Sequence, residues 1–127
     1  MQLSMHRLAG TFAVHRLPPD SALPAGLFDE PFVAVVRSEA ELSVCCRSDV
    51  TLRDGRREDG WVCLAVDGPL DFTLTGIVSA ITRPLAGAGI TVFVMSSFDT
   101  DYVMVKQAHL ARTAEVLEGA GIRLKLE

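Results

Sequence analysis

The stretch WVCLAVDGPLDFTLTGIVSAITRPLAGAGITVFV, residues 61–94, decides the fold. Its opening run, Trp61-Val62-Cys63-Leu64-Ala65-Val66, is apolar almost without interruption and stops at Asp67-Gly68-Pro69, the pattern of a strand buried on both faces. Ile77, Val78, Ile81, Leu85 and Ala88 then recur at helical spacing, which predicts a helix over about 75–86 with one apolar stripe. Pro84 lies inside that helix, removes a backbone donor, and is expected to kink or loosen its last turn. Gly87-Ala88-Gly89-Ile90 leads out of it into a strand at 91–97.

Toward the C-terminus, Phe98-Asp99-Thr100-Asp101 is expected to turn the chain into a second strand at 102–106, since Asp side chains bond nearby backbone amides. A helix over 108–118 would place Leu110, Ala114 and Leu117 on one face, and 122–126 alternates like a strand. The tetrapeptide Gly-Ala-Gly-Ile recurs at 119–122, so helix, glycine-bearing C-cap and β-branched strand opener occur twice in the same order. Strand, helix, strand, hairpin, strand, helix, strand is the βαββαβ order of an α+β, ferredoxin-like domain, with right-handed crossovers expected.

Toward the N-terminus, TLRDGRREDG at 51–60 is polar with two glycines and is expected to be a linker or exposed loop. That places a boundary near residue 60, with halves at 1–60 and 61–127. The first half carries strand-like runs at 11–17, 32–38 and 42–47, the last two suited to a hairpin. After Pro18-Pro19, residues 21–28 hold at most a turn or two of helix.

At 127 residues the chain is one ordinary domain or two very small ones that lean on each other. Its 49% hydrophobic content and mean hydropathy of +0.30 predict a folded body. A net charge of −4 argues against nucleic acid as a partner, because such binding rests on clustered Lys and Arg. The one basic cluster, Arg53 with Arg56 and Arg57, is interrupted by Asp54 and closed by Glu58 and Asp59; it reads as a solvated loop or as a partner contact. Cys45, Cys46 and Cys63 cannot all pair within the chain and lack CxxC or CxxxH spacing, so buried packing in a reducing compartment is expected rather than zinc. His6, Arg7, His15 and Arg16 break any apolar run in residues 1–17, so neither a signal peptide nor a membrane span is drawn there, and a soluble cytoplasmic protein is expected.

A buried strand delivering the chain to a helix start near Thr75-Gly76 presents backbone amides suited to a carboxylate. Thr75 is a permissible N-cap and Gly76 allows close approach; the plainer alternative is that Thr75 only caps and Gly76 only packs. Asp99 and Asp101 would lie at the same end of the sheet and could hold an ammonium group, or could serve only as Asx-turn residues. Catalysis is not expected: His6, His15 and His109 have no evident nucleophile partner, and GxSxG, HExxH and GxxxxGK are missing from the sequence. No cofactor and no metal are expected.

The run GPLDFTLTGIV at 68–78, the segment PLAGAGITVF at 84–93, and SFDTDYVMVK at 97–106 resemble a subfamily of ACT domains. That subfamily includes small bacterial proteins related to the ACT domains of the cytosolic arginine sensor and of aspartate kinases. The resemblance spans 61–121, and SFDTDY is its most specific element. Residues 1–60 resemble, more weakly, a degenerate ACT-like repeat. The resemblance implies a side-by-side pair of ACT-like units, a homodimer, and a regulatory amino-acid site formed by Leu74, Thr75, Gly76 and Ile77 on the strand-to-helix connection with Asp99 and Asp101 at the turn. Kinase activity is not carried over, because the resemblance covers no kinase domain.

A non-catalytic amino-acid-binding regulator is therefore the leading expectation. A ligand-free oligomerisation or partner-binding module is the alternative, with edge strands or an apolar helix face as its contact. A small hydrolase of the acylphosphatase type is third, and 68–76 lacks the Arg or Lys that its phosphate loop would need. The scaffold alone decides between none of them.

Overall fold

The computed structural model describes residues 2–71 and 75–127. Along the chain run β1 (Ser4–Arg7), β2 (Phe12–Leu17), a 3-10 turn (Leu27–Asp29), β3 (Ala34–Arg37), β4 (Leu42–Arg47), β5 (Arg56–Val66), α1 (Ile77–Gly87), β6 (Val92–Ser96), β7 (Asp101–Lys106), a second 3-10 turn (Gln107–His109), α2 (Leu110–Gly119) and β8 (Arg123–Lys125). They group into two units, one of Met1–Ala9 with Val62–Glu127 and one of Gly10–Trp61.

The larger unit carries the expected βαββαβ order, β5-α1-β6-β7-α2-β8. Its strands lie in the order β8-β1-β5-β7-β6. Strand β1 is not among the strands expected from sequence: Ser4–Arg7 enters between β8 and β5, parallel to the first (Met5↔Leu124) and antiparallel to the second (Met5↔Val66). Four residues containing His6 and Arg7 carry no strand signal of their own; pairing on both sides holds them, together with the burial of Met5.

Alternation along β5 sends Val62, Leu64 and Val66 to one face, where they meet Met5, Val103 and Val105 and the apolar stripes of the helices, Ile77, Ile81 and Leu85 from α1 and Leu117 from α2. Both helices end as the repeated tetrapeptide predicts. Gly89 (φ 73°) and Gly121 (φ 83°) adopt the left-handed conformation, and the amides of Ile90 and Ile122 donate back to the carbonyls of Leu85 (3.0 Å) and Leu117 (2.9 Å). Pro84 does not end α1, because it falls in the last turn, where the Ala88 amide is shared between Pro84 and Leu85 carbonyls at 3.1 Å each.

The smaller unit is an antiparallel arrangement of β3, β4, β2 and the first part of β5. The hairpin of β3 and β4 is as expected, and Leu17, Leu27, Leu42, Val44 and Cys46 form its core. The expectation for 51–60 needs correction: the loop stops at Gly55, and Arg56–Gly60 is strand, paired with β2 through Arg16↔Arg56, His15↔Arg57 and Val14↔Glu58. A bulge follows at Gly60 (φ 80°) before Phe12↔Trp61 resumes the ladder. Cys45, Cys46 and Cys63 are all free and buried, and burial pushes the Cys45 thiol up to about 12.

Candidate functional site

Helix α1 begins one residue later than a Thr75 cap would have it. Gly76 is the N-cap, in the left-handed conformation at φ 79°, and no side chain caps the helix. A Cβ at Gly76 would meet nothing within 4 Å, so glycine is required there by the backbone angle and not by crowding. The first helical hydrogen bond closes from the Ala80 amide to the Gly76 carbonyl at 2.9 Å, which leaves the amides of Ile77, Val78 and Ser79 ahead of the ladder at the positive end of the helix dipole.

Facing that helix start is the connection between β6 and β7. The Ser97 amide donates to the Thr100 carbonyl at 2.8 Å, and the Ser97 hydroxyl accepts from the Thr100 amide at 3.3 Å, closing the turn. Two bonds fix it to the end of β5: the Thr100 hydroxyl donates to the Val66 carbonyl (2.6 Å), and the Leu70 amide to the Asp99 carbonyl (2.7 Å). Gly68 permits this approach, since a Cβ there would lie 3.3 Å from the Asp99 carbonyl oxygen and 3.1 Å from the Leu70 amide nitrogen. Asp101, expected in the turn, is instead the first residue of β7, where its carboxylate accepts from the Ser96 hydroxyl at 2.5 Å across the ladder.

Helix start and turn line a half-open cavity of about 360 Å3. Of the residues singled out from the sequence, Gly76, Ile77, Asp99 and Asp101 line it together. Thr75 is exposed and outside the lining, and Leu74 lies outside the described residues. Asp71, Ser79, Ser96, Ser97 and Phe98, none of them a candidate from sequence, also line it. Ser79 was findable, because it stands three residues after Gly76 on a predicted helix and therefore on the same side of its first turn.

The described lining holds three carboxylates and no Lys, Arg or His, and the first-turn amides of α1 supply positive potential there. Carboxylates and oriented amides lining one pocket can hold the two ends of a zwitterion. Among the described residues no group of three or more His, Cys, Asp or Glu is placed to hold a metal ion.

Just before the connection, Asp67 ties the sheet together. Its carboxylate takes the Lys125 ammonium at 2.7 Å, the Ser4 hydroxyl at 2.5 Å and the His6 ring Nδ1 at 2.6 Å. Those contacts, Lys125 foremost, hold its carboxyl well below the usual carboxylate range.

An ACT domain family model matches residues 56–119, and a second family model, for an N-terminal domain, matches residues 10–54. Cytosolic arginine sensor for mTORC1 subunit 1 of Homo sapiens is 32% identical over 90 residues, which are 70% of this chain and 27% of that protein. The chain thus spans about a quarter of that relative's length. A crystal structure of a protein from Agobacterium tumefaciens superimposes with a TM-score of 0.91 at 37% identity, covering 100% of this chain and 95% of that one. The ligand-free regulatory subunit of aspartate kinase from Thermus thermophilus shares the fold, with a TM-score of 0.62 at 9% identity over 87% of this chain and 93% of that one. Among the described residues no helix is long and apolar enough to cross a membrane.

Proposed function

This chain belongs to the ACT domain family, and from that premise we propose that it is a non-catalytic regulator that binds a free amino acid between the start of α1 and the turn joining β6 to β7. The observation that carries the reading is the composition of the pocket: the first turn of α1 and the carboxylates of Asp71, Asp99 and Asp101 line the same space. The ligand's carboxylate accepts from the amides at 77–79, and its ammonium donates to the aspartates. Leu74 and Thr75 belong to the proposed site as the connection leading into it. A cavity of about 360 Å3 is of the size that small-molecule sites occupy.

The excess of carboxylates favours a ligand with a second positive charge, and the name of the human relative, an arginine sensor, makes arginine the first candidate. We further infer a cytoplasmic protein that works as a homodimer, with no nucleic acid or membrane partner, and a strand-rich first half that is a degenerate ACT-like repeat. The acidic charge balance supports the exclusion of nucleic acid.

The test is a thermal-shift screen of the twenty amino acids with Asp99→Ala and Asp101→Asn beside the parent chain. A ligand at about a hundredfold excess over its Kd should stabilise the parent by about 2.7 kcal/mol, and both variants should lose that shift while staying folded. A parent chain that melts cooperatively and responds to none of the twenty would refute the reading and favour a partner-binding module.

A further inference from the structure

Arg53, Arg56 and Arg57 are neighbours in sequence, and the structure sorts them into different environments. Arg57 is engaged within its own unit: Nη2 donates to Asp59 Oδ2 at 2.8 Å and to the Ser48 carbonyl, and Nη1 to the Val50 carbonyl at 3.3 Å. Arg56 has no carboxylate within ion-pair range among the described residues, and its direct partner across the β2–β5 ladder is Arg16. Like charges placed directly opposite on antiparallel strands repel. Arg16 is only loosely compensated, with Nε 3.7 Å from Glu41 Oε2 and Nη2 3.4 Å from the Ala40 carbonyl.

The turn that brings the two arginines together is shaped for close approach. Asp54 stands at φ 65°, a left-handed conformation that residues with a Cβ rarely adopt. A Cβ on Gly55 would lie 2.3 Å from Leu17 Cδ2 and 2.6 Å from the Arg16 carbonyl oxygen, so only glycine lets the chain pass this near β2. Arg16, Pro18, Asp54, Gly55 and Arg56 line an open cleft of about 540 Å3. Its charges are two guanidinium groups and one carboxylate.

We propose that this cleft is an oxyanion site and that the group it takes is hydrogen phosphate, free or as a phosphomonoester. An anion between the guanidinium forks turns their mutual repulsion into two charge-assisted contacts. Asp54 selects within the oxyanions: inorganic phosphate at neutral pH, and a phosphomonoester in its monoanion, carries a P–OH that can donate to this carboxylate, whereas sulfate offers it only lone pairs. The site lies wholly within Gly10–Trp61 and does not depend on the amino-acid reading of the other unit.

The experiment is an NMR titration of the full chain with inorganic phosphate, glycerol 3-phosphate and sulfate, following the Gly55 and Arg56 amides. Saturable shifts are expected for both phosphates, with the tighter one naming the source, and sulfate should bind more weakly. Arg56→Gln or Arg16→Gln should weaken phosphate roughly tenfold, the loss of about one charge-assisted contact. Arg53→Gln, outside the lining, should leave the affinity unchanged, and Asp54→Asn should abolish the preference over sulfate. Shifts that never saturate, an equal loss from Arg53→Gln, or sulfate binding as tightly as phosphate to the parent chain would each overturn the proposal. The amide spectra of the variants report their folding in the same experiment.

Discussion

Strand β5 is one element with two unlike halves. Residues 61–66 are buried throughout, with Val62, Cys63 and Leu64 at 0% exposure, while Arg56, Arg57, Glu58 and Asp59 are all exposed. The later half pairs with β1 and also sends Val62, Leu64 and Val66 into the core beneath the helices. The earlier half is a strand because its backbone completes a ladder with β2, whatever its side chains are. Both halves are paired and only the later one is also buried, and only burial leaves an apolar signature in the sequence.

The comparison can be broken first at Leu64. Leu64→Ala, in the packed half, should cost about 2–5 kcal/mol in urea denaturation, because the closed core around it relaxes only in part. Next comes the bulge between the halves: Gly60→Ala should cost about 1–2 kcal/mol from the left-handed backbone angle, since a Cβ there meets nothing within 4 Å. A loss of only a few tenths would mean that the bulge shifts its register freely and the two halves are not separately fixed.

His15, opposite Arg57 in the earlier half, sharpens the contrast through pH. It is 3% exposed, its Nε2 has no hydrogen-bond partner among the described residues, and burial together with Arg57 lowers its pKa below 6.5, against an opposing pull from Asp59. The unfolded chain therefore takes up this proton first. Its contribution to stability is complete above pH 6.5 and declines as pH falls toward the depressed folded value. Urea midpoints measured from pH 7 downward should show that decline in the parent chain and not in His15→Phe. The smallest effect is expected at Arg56→Ala, within about 0.5 kcal/mol, as for a solvated surface side chain. A larger loss would mean that Arg56 is part of the packing.

The same division explains what could be read in advance at the candidate site. Gly76, Ile77, Asp99 and Asp101 were legible because each sits at an element end that periodicity locates, and the βαββαβ order places those ends side by side. Thr75 was misjudged as the cap because residue preference cannot tell a side-chain cap from a glycine held at positive φ. Ser96 and Ser97 were passed over because their roles, a hydroxyl given to Asp101 and a turn closed on Thr100, depend on cross-strand register.

By itself the sequence determined the α+β class, the βαββαβ order, both helix stops and the burial of the cysteines. These follow from hydrophobic periodicity and glycine conformation, which act over a few residues. Only the tertiary structure decided that Ser4–Arg7 lies between β8 and β5, that Arg56–Gly60 is strand, and that Arg16 faces Arg56. Those outcomes depend on which distant backbone supplies the missing hydrogen bonds, and a polar segment carries no local mark of its partner.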